Sequence, residues 1–254
     1  MPNVGHEALL PLPTQLPESR AVWGTGAVTD QWRGNLVNMM HHSAQLAAHL
    51  KQGTQNEASV LQMGGSLDDT PALRDILFYL ASSKQSQLVC EFGFQTGHSS
   101  LLWLSASNQT EVISFEVDKA VPLPITNMAV NFLQKDHPGR LKVLLGSRAD
   151  GMRNLATYLR SFVPERKCDI VFLSGGREYD DADTPFQDLV NLRSVSDKQT
   201  LVLMADLYCT EAHRCTTPTT AWHKALRNKL LREFDCFVNQ KVVQGFCTGQ
   251  YLFE

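Results

Sequence analysis

Five apolar runs of strand length alternate with helical patterns along the middle of the chain. They lie at Gln87–Phe92, Glu111–Glu116, Leu141–Leu145, Asp169–Leu173 and Thr200–Met204. Most positions in each run are apolar, whereas a strand with one face in water would alternate apolar and polar residues. We therefore expect both faces of these strands to be covered. Strands of this kind separated by helices form a parallel sheet, so the sequence predicts an α/β fold with helices on both faces.

The end of the chain follows another pattern. Apolar residues at helical spacing around Trp222 predict a helix, and two further strands are predicted at Phe234–Val243 and Gly249–Phe253, joined by a short turn that contains Thr248-Gly249. Because parallel neighbours need a long crossover, two strands joined so closely must be antiparallel. The expected fold is a mostly parallel, seven-stranded sheet with an antiparallel C-terminal strand.

The first part of the chain differs from the rest. Residues 1–28 are rich in proline and glycine and are expected to form an irregular arm, followed by an amphipathic helix from Thr29 to about Lys51. A second helix is predicted after Thr70-Pro71, a cap followed by a proline at the first helical position. These patterns divide the chain into residues 1–65, an arm and helix expected to act as a lid or interface, and a main domain, residues 66–254.

Composition limits the partners that we expect. The formal net charge is −3 and 19% of the 254 residues are charged, which argues against a nucleic-acid groove and against a charged membrane-binding patch. No window has the length and apolar character of a membrane span. The N-terminus lacks the basic and apolar pattern of a secretory signal.

The six cysteines form no CxxC pair. Cys90 and Cys168 lie at or near apolar strands, where we expect small buried residues of a reduced, cytoplasmic protein. Cys209, His213 and Cys215 form a C-x3-H-x-C cluster that leaves a zinc site as an alternative, although no fourth ligand is evident.

A turn with two glycines follows the first predicted strand. From Glu91 to Ser100 the sequence is Glu-Phe-Gly-Phe-Gln-Thr-Gly-His-Ser-Ser. A turn of this kind often lets the backbone approach a ligand. The dinucleotide fingerprint G-x-G-x-x-G would need glycines where the chain has Gln95 and His98, and the Gly-Lys-Ser/Thr of a P-loop does not follow. An NAD-dependent dehydrogenase is therefore disfavoured.

The pattern E-x-G-x-x-x-G-x-S-S resembles the first motif of class I S-adenosylmethionine-dependent methyltransferases, especially the small-molecule O-methyltransferases related to the catechol and caffeoyl-CoA enzymes. Later segments resemble landmarks of that family in the same order: the second strand with Glu116, the residues after the third strand, the fourth strand with its loop, and the fifth strand ending at Asp206. The resemblance covers roughly Pro71 to Glu254. It implies a Rossmann-like fold and S-adenosylmethionine as the cofactor.

The resemblance also implies which residues bind this cofactor. Glu116 matches the acid that binds both ribose hydroxyls, because a carboxylate can accept two O–H donors. Gly93 and Gly97 would admit the methionine half against bare backbone. Ser99, at a helix start, would bind the methionyl carboxylate, and the residues after the third strand would contact the adenine. The whole predicted set is Glu91, Gly93, Gln95, Gly97, Ser99, Glu116, Ser147, Arg148 and Ser174.

The acceptor side matches the family less well. Metal-dependent members hold one divalent ion with an Asp after the fourth strand and an Asp-Asn pair after the fifth, where this chain has Ser174 and Asp206-Leu207. Only one of these expected ligands is present, and Mg²⁺ needs near-octahedral oxygen coordination. We therefore expect no metal.

Three residues are candidates for the chemistry at the acceptor. Asp206, at the carboxyl end of a central strand, is the best candidate, because it could orient an acceptor hydroxyl or accept its proton. Arg177 falls where the family carries a Lys or His beside the acceptor; an arginine stays protonated, so it would bind an anionic acceptor or be a surface cation. His98 follows the second glycine and could reach the reacting centre, with a cofactor-side or packing role as the alternative.

Two functions remain open. The first is transfer of a methyl group from S-adenosylmethionine to an oxygen, less favourably a nitrogen, of a small molecule. The second is a binding or scaffold protein that keeps the fold and does no chemistry, which the altered acceptor residues favour and the intact first motif opposes. Neither predicts a nucleic-acid or membrane partner, and a homodimer stays open.

Overall fold

The computed structural model describes residues 30–53, 71–84, 87–117, 122–146, 155–161, 166–174, 183–207, 212–239 and 244–253. Its strands are β1 (Leu88–Phe92), β2 (Glu111–Val117), β3 (Leu141–Gly146), β4 (Ile170–Leu173), β5 (Leu201–Leu207), β6 (Leu231–Asn239) and β7 (Gln244–Tyr251). Its helices are α1 (Asp30–Gly53), α2 (Pro71–Lys84), α3 (His98–Ala106), α4 (Leu123–Asp136), α5 (residues 155–161), α6 (Asp183–Leu192) and α7 (Ala212–Arg227), with a 3₁₀ turn at Arg193–Val195.

The strands form one seven-stranded sheet in the order β3-β2-β1-β4-β5-β7-β6. Strands β1 to β5 pair in parallel, and β7 lies antiparallel between β5 and β6. The predicted α/β fold, mostly parallel with an antiparallel C-terminal strand, is confirmed. The strand order reverses between β1 and β4, and sheets of this type bind ligands at the carboxyl ends of the strands beside such a point.

Side chains of the sheet fill two apolar cores, one on each face. Along β1, Val89 belongs to one core while Leu88 and Cys90 belong to the other, because side chains alternate along a strand. Helices α1 to α4 cover the first core, and α5 to α7 cover the second. Leu46 and Leu50 of α1 are buried in the same core as the sheet residues. The N-terminal helix thus packs on the main domain, and its role as a lid or interface stays a prediction.

The final turn does not lie where the sequence predicted it. β6 begins and ends earlier than expected and β7 is longer than expected. Thr248-Gly249 lies inside β7, paired with β5 on one side and β6 on the other. A Cβ at Gly249 would lie 2.8 Å from the carbonyl oxygen of Arg232 and 3.1 Å from the ring of Trp222. Glycine occurs in turns, and also inside strands where another part of the chain approaches the backbone closely. Gly249 is of the second kind.

Disulfides join the four cysteines whose side chains the structure describes, which corrects the expectation of a reduced protein. Cys90 in β1 is bonded to Cys168, 78 residues away, and Cys236 in β6 is bonded to Cys247 in β7. Cys90 and Cys168 are buried, as expected. The pairing of β1 with β4 brings the Cα atoms of Cys90 and Cys168 to 5.7 Å. This pairing could not be predicted, because the spacing of cysteines along the chain does not show the register of a sheet.

The close approach at Gly249 predicts a pair of opposite mutational effects. Gly249→Ala should lower the free energy of unfolding by about 1–3 kcal/mol, because the methyl group must displace a carbonyl oxygen or a buried indole. Gly34→Ala is the matched control in α1, where a Cβ would meet no atom within 4 Å; alanine there should add up to about 1 kcal/mol. Denaturant unfolding measures both, and an unchanged Gly249→Ala protein would contradict the packing described.

Candidate functional site

The carboxyl ends of four parallel strands meet at one edge of the sheet. β1 leads into Gly93, β2 carries Glu116 near its end, β4 leads into Ser174, and β5 carries Asp206 near its end. The backbone N–H of Ser174 donates to the carbonyl of Phe92 at 2.8 Å, which holds the ends of β1 and β4 side by side. Because the strand order reverses here, this edge is the candidate site.

The turn after β1 has left-handed backbone at every second residue. The φ angle is +100° at Gly93, +49° at Gln95 and +81° at Gly97. Glycine adopts such angles freely, whereas Gln95 is strained by its Cβ. Strain of this kind persists only where the surroundings fix it, and it clusters at binding sites. The turn ends at Gly97, which is the N-cap of α3.

Protein atoms lie where the two glycines lack a side chain. A Cβ at Gly93 would lie 2.5 Å from the carbonyl oxygen of Ser174. A Cβ at Gly97 would lie 2.9 Å from the ring of Phe94 and 3.1 Å from Leu133. Close packing within the chain is therefore enough to explain why both positions are glycine. Their predicted role in admitting a cofactor stays a prediction, and what the turn offers a ligand is its backbone and the start of α3.

Glu116 is fixed against this turn. The residue is 2% exposed, and its carboxylate accepts a hydrogen bond from the backbone N–H of Gln95. A bond to a charged acceptor is stronger than one between neutral groups, so it offsets part of the strain at Gln95 and part of the desolvation of Glu116. The carboxylate is thereby held in one orientation at the end of β2.

Glu91, beneath the turn, ties β1 to α3 and β2. The residue is fully buried, and its carboxylate accepts hydrogen bonds from the hydroxyls of Ser100 and Ser114 and from the indole N–H of Trp103. Burial raises the pKa of Glu91, while these donors and the hydroxyl of Ser99 oppose the rise. The side chain of Glu91 therefore bonds to the chain itself, and the predicted contacts of Glu91 and Ser99 with a cofactor stay predictions.

Two positions that hold the metal in metal-dependent relatives of the predicted family carry no ligand here. The hydroxyl of Ser174 donates to the carbonyl oxygens of Phe92 at 3.4 Å and Gly93 at 3.2 Å. Leu207 is buried at the end of β5. A hydroxyl used within the chain and a buried aliphatic side chain do not reproduce the oxygen ligands that Mg²⁺ prefers.

Asp206 lies at an irregularity in β5. The pairing of β5 with β7 shifts in register between Ala205 and Leu207, and Asp206 has a φ of +60° at that point. Aspartate tolerates left-handed backbone better than most residues, and bulges near active sites re-aim side chains. The residue is partly exposed at the candidate edge. Its catalytic role stays a prediction.

His98 is bonded to the N-terminal helix. Its Nδ1 lies 2.9 Å from the Oγ of Ser43 in α1, and both residues are buried. The contact ties α1 to the residue that directly follows the glycine turn. A catalytic role for His98 stays a prediction, while its contact with α1 matches the packing alternative.

Sequence reasoning missed several polar residues of this region. Ser43, Trp103 and Ser114 supply hydrogen bonds to His98 and Glu91, and the Oγ1 of Thr96 is buried in the turn without a hydrogen-bond partner among the described residues. A serine in the middle of an apolar strand or on the buried stripe of a helix signals a polar partner, because buried polar groups are nearly always paired. The signal does not say which partner.

Some predicted site residues fall outside the described part of the chain. These are Ser147, Arg148 and Arg177 of the site, and Cys209 of the alternative zinc cluster, together with the side chains of His213 and Cys215. The structure brings the other candidates to one edge of the sheet: Gly93, Gln95, Gly97, His98, Ser99, Glu116, Ser174 and Asp206.

Solved structures share this fold. The O-methyltransferase TomG from Streptomyces achromogenes, in complex with S-adenosylmethionine, is 15% identical and matches with a TM-score of 0.62 over 89% of this chain and 99% of that chain. An O-methyltransferase from Bacillus cereus, in complex with S-adenosylhomocysteine, is 13% identical, with a TM-score of 0.59 over 86% and 91%. The S-adenosylhomocysteine-bound methyltransferase PaMTH1 from Podospora anserina is 11% identical, with a TM-score of 0.57 over 91% and 100%.

The chain therefore has the Rossmann-like fold of class I methyltransferases, as the resemblance implied. No protein-family model and no curated protein matches the sequence. At these identities the likeness establishes the fold, and the chemistry has to be argued from the residues at the edge.

The buried network around Glu91 predicts a large loss of stability on its removal. Glu91→Ala should lower the free energy of unfolding by about 3 kcal/mol or more, because three buried donors lose their acceptor at about 1–3 kcal/mol each. Glu91→Gln should cost less, since its amide oxygen still accepts. Glu111→Ala is the control on β2, where the ion pair to Arg166 is partly exposed and should contribute no more than about 1 kcal/mol. Equal losses for Glu91→Ala and Glu111→Ala in chemical denaturation would refute the network.

Proposed function

We propose that this chain is an S-adenosylmethionine-dependent methyltransferase that transfers a methyl group to an oxygen, less favourably a nitrogen, of a small molecule. One observation carries the proposal: the buried carboxylate of Glu116 is held by the N–H of Gln95 at the edge where the strand order reverses. A ligand with neighbouring hydroxyls suits a fixed carboxylate, and a nucleoside has such hydroxyls on its ribose.

The residues at this edge fit S-adenosylmethionine in kind. A carboxylate has about four acceptor positions, so Glu116 can accept ribose hydroxyls beside its bond to Gln95. The start of α3 offers backbone N–H groups and partial positive charge to the methionyl carboxylate, with Ser99 in its first turn. The Oγ1 of Thr96, which is buried and has no hydrogen-bond partner among the described residues, is a further polar atom in the same turn. The resemblance assigns the adenine to the residues after β3.

The chain's own residues would align the acceptor, exclude water and receive a proton. The bound cofactor supplies an electrophilic methyl group on a sulfonium. Asp206, re-aimed by the bulge in β5, would orient an acceptor hydroxyl and accept its proton. Arg177 would bind an anionic acceptor, and His98, fixed by Ser43, would line the reacting centre. Transfer would need no divalent ion, since Ser174 and Leu207 stand where the family has its ligands.

A second candidate is a binding protein with the same fold and no chemistry. The hydrogen bonds of Ser174 to Phe92 and Gly93 favour it, because that hydroxyl is used within the chain. The bulge at Asp206 opposes it, since a binding protein needs no acidic group at the candidate edge to accept a proton.

The location of the protein stays a prediction. Among the described helices, none has the length and apolar character that spanning a bilayer requires. The sequence predicted a cytoplasmic location. The two disulfides among the described residues argue against it, because disulfides are more typical of oxidising compartments. A homodimer also stays a prediction.

Calorimetry with three ligands tests the proposed cofactor. Wild-type protein should bind S-adenosylmethionine and S-adenosylhomocysteine but not NAD. Glu116→Ala should bind S-adenosylhomocysteine at least about tenfold more weakly, which corresponds to about 1.4 kcal/mol, because charge-assisted bonds to the ribose are lost. Glu111→Ala, at the other end of β2, should bind as wild type does. Normal binding by Glu116→Ala would show that the ribose lies elsewhere.

Substitution of Asp206 distinguishes the proposed enzyme from the alternative of a binding protein without chemistry. Asp206→Asn keeps the shape of the side chain and tolerates the φ of +60°, so melting temperature and cofactor affinity should hardly change. Turnover with phenol and catechol acceptors should fall by about 10²–10⁴-fold, because the proton acceptor is lost. Asp206→Gly controls for the backbone. Lower stability with turnover reduced only in proportion to folded protein would identify Asp206 as a loop cap.

If wild type binds the cofactor and methylates no acceptor of a broad panel, the binding protein becomes the better account.

A further inference from the structure

A cluster of metal-ligating side chains lies on the β6–β7 pair, away from the candidate active-site edge. It consists of Glu233, Cys236 and Cys247, whose ligand atoms all lie within 4.8 Å of one another. Cys236 and Cys247 are directly opposite in the strand register, with Cα atoms 4.1 Å apart, and form a disulfide. The Sγ of Cys236 is also 3.3 Å from the Oε2 of Glu233. A disulfide sulfur carries no proton, so this is a close contact and not a hydrogen bond.

A bulge in β6 brings Glu233 to the same face as the two cysteines. Residues three apart on a regular strand point to opposite faces. The pairing of β6 with β7 shifts between Glu233 and Asp235, so that Glu233 pairs with Gly249 and Cys236 pairs with Cys247. Three steps along β6 therefore match two steps along β7, and the two side chains share a face.

Trp222 and Gly249 lie beside the cluster. The indole N–H of Trp222 in α7 donates to the Oε2 of Glu233 at 2.5 Å. The ring of Trp222 lies against Gly249, where no side chain intervenes. Metal-ligating carboxylates are usually held by a hydrogen bond of this kind, which orients them and tunes their affinity. Gly249, which pairs with Glu233, has no side chain, so the indole of Trp222 can lie close to the strand there.

We infer that Glu233, Cys236 and Cys247 bind one Zn²⁺ when the disulfide is opened. A dithiol reductant supplies two electrons and two protons, the S–S bond breaks to two thiols, and the reductant leaves as its own disulfide. Zinc binding then releases the two thiol protons to solvent, because thiolates are the ligands. The edge of the sheet is thus cross-linked by a disulfide when oxidised and by a metal when reduced.

The distances suit zinc. Tetrahedral coordination with Zn–S of about 2.3 Å and Zn–O of about 2.0 Å puts ligand atoms about 3.5–3.8 Å apart. The Sγ–Oε2 contact of 3.3 Å is close to this value, and the sulfurs of an opposite strand pair need only small side-chain rotations to reach it. Two thiolates favour zinc over Mg²⁺ or Ca²⁺. Glu233 is exposed, so water can supply the fourth ligand and the ion can enter from solvent.

Cobalt titration of the full chain tests this site. A Cys209→Ala/Cys215→Ala background removes the cysteines of the alternative cluster. The protein is reduced without oxygen by a phosphine, which becomes a phosphine oxide with oxygen from water and does not compete as a thiol ligand. Reduced protein should bind about one Co²⁺ per chain, with thiolate-to-cobalt charge transfer and the intense visible bands of tetrahedral cobalt, and Zn²⁺ should displace it. Oxidised protein should give no such bands.

Matched variants assign the signal to these residues. Cys236→Ala/Cys247→Ala should abolish the bands, and Glu233→Gln, at an exposed position, should weaken binding by at least about tenfold. Cys90→Ala/Cys168→Ala should leave the bands unchanged, which excludes the buried cysteine pair. Absence of the bands in reduced protein, their persistence in Cys236→Ala/Cys247→Ala, or full affinity in Glu233→Gln would each overturn the proposal.

Discussion

The candidate site depends on the hydrogen bonds that the buried carboxylate of Glu91 accepts. It lies in β1 directly below the turn and accepts hydrogen bonds from α3 through Ser100 and Trp103 and from β2 through Ser114. An unpaired carboxylate at this depth would be very unfavourable, so the three elements must come together around it. Glu91 therefore positions the glycine turn and the neighbouring Glu116. The hydrogen bonds described for Glu91 are all to other residues of the chain. Cofactor affinity would depend on this network whether or not Glu91 itself touches the cofactor.

Strained backbone marks the part of the sheet where we propose that chemistry occurs. Gln95 and Asp206 have positive φ, and both lie at the carboxyl edge, in the turn after β1 and at the bulge of β5. Gln95 is held by its bond to Glu116. Lys229 also has a positive φ, but it follows α7, where left-handed backbone commonly ends a helix. Among the described residues other than glycine, two of the three with positive φ thus lie at the candidate edge.

Local patterns were enough to predict the layers of the fold, whereas the residues of the candidate edge were predicted from the resemblance of the motifs. The apolar runs predicted β1 to β5, because strands covered on both faces need no alternation. Gly249 shows the limit: a glycine that serves close packing under Trp222 looks the same in sequence as one that serves a turn. Pairs that depend on register could not be predicted either. Cys90 with Cys168 and Ser43 with His98 are 78 and 55 residues apart, and only the assembled sheet and helices bring them together.

Nuclear magnetic resonance of the backbone amides tests the central claim most directly, namely that the turn after β1 and Glu116 form a nucleoside-binding site. The account predicts that S-adenosylhomocysteine shifts the amides of residues 93–100 most strongly, with that of Gln95 among them because its N–H bonds to the carboxylate that the ribose would share. The amides of β6, at the far edge of the sheet, should hardly move. Saturable shifts confined to residues away from the turn, or none at millimolar ligand, would contradict the account.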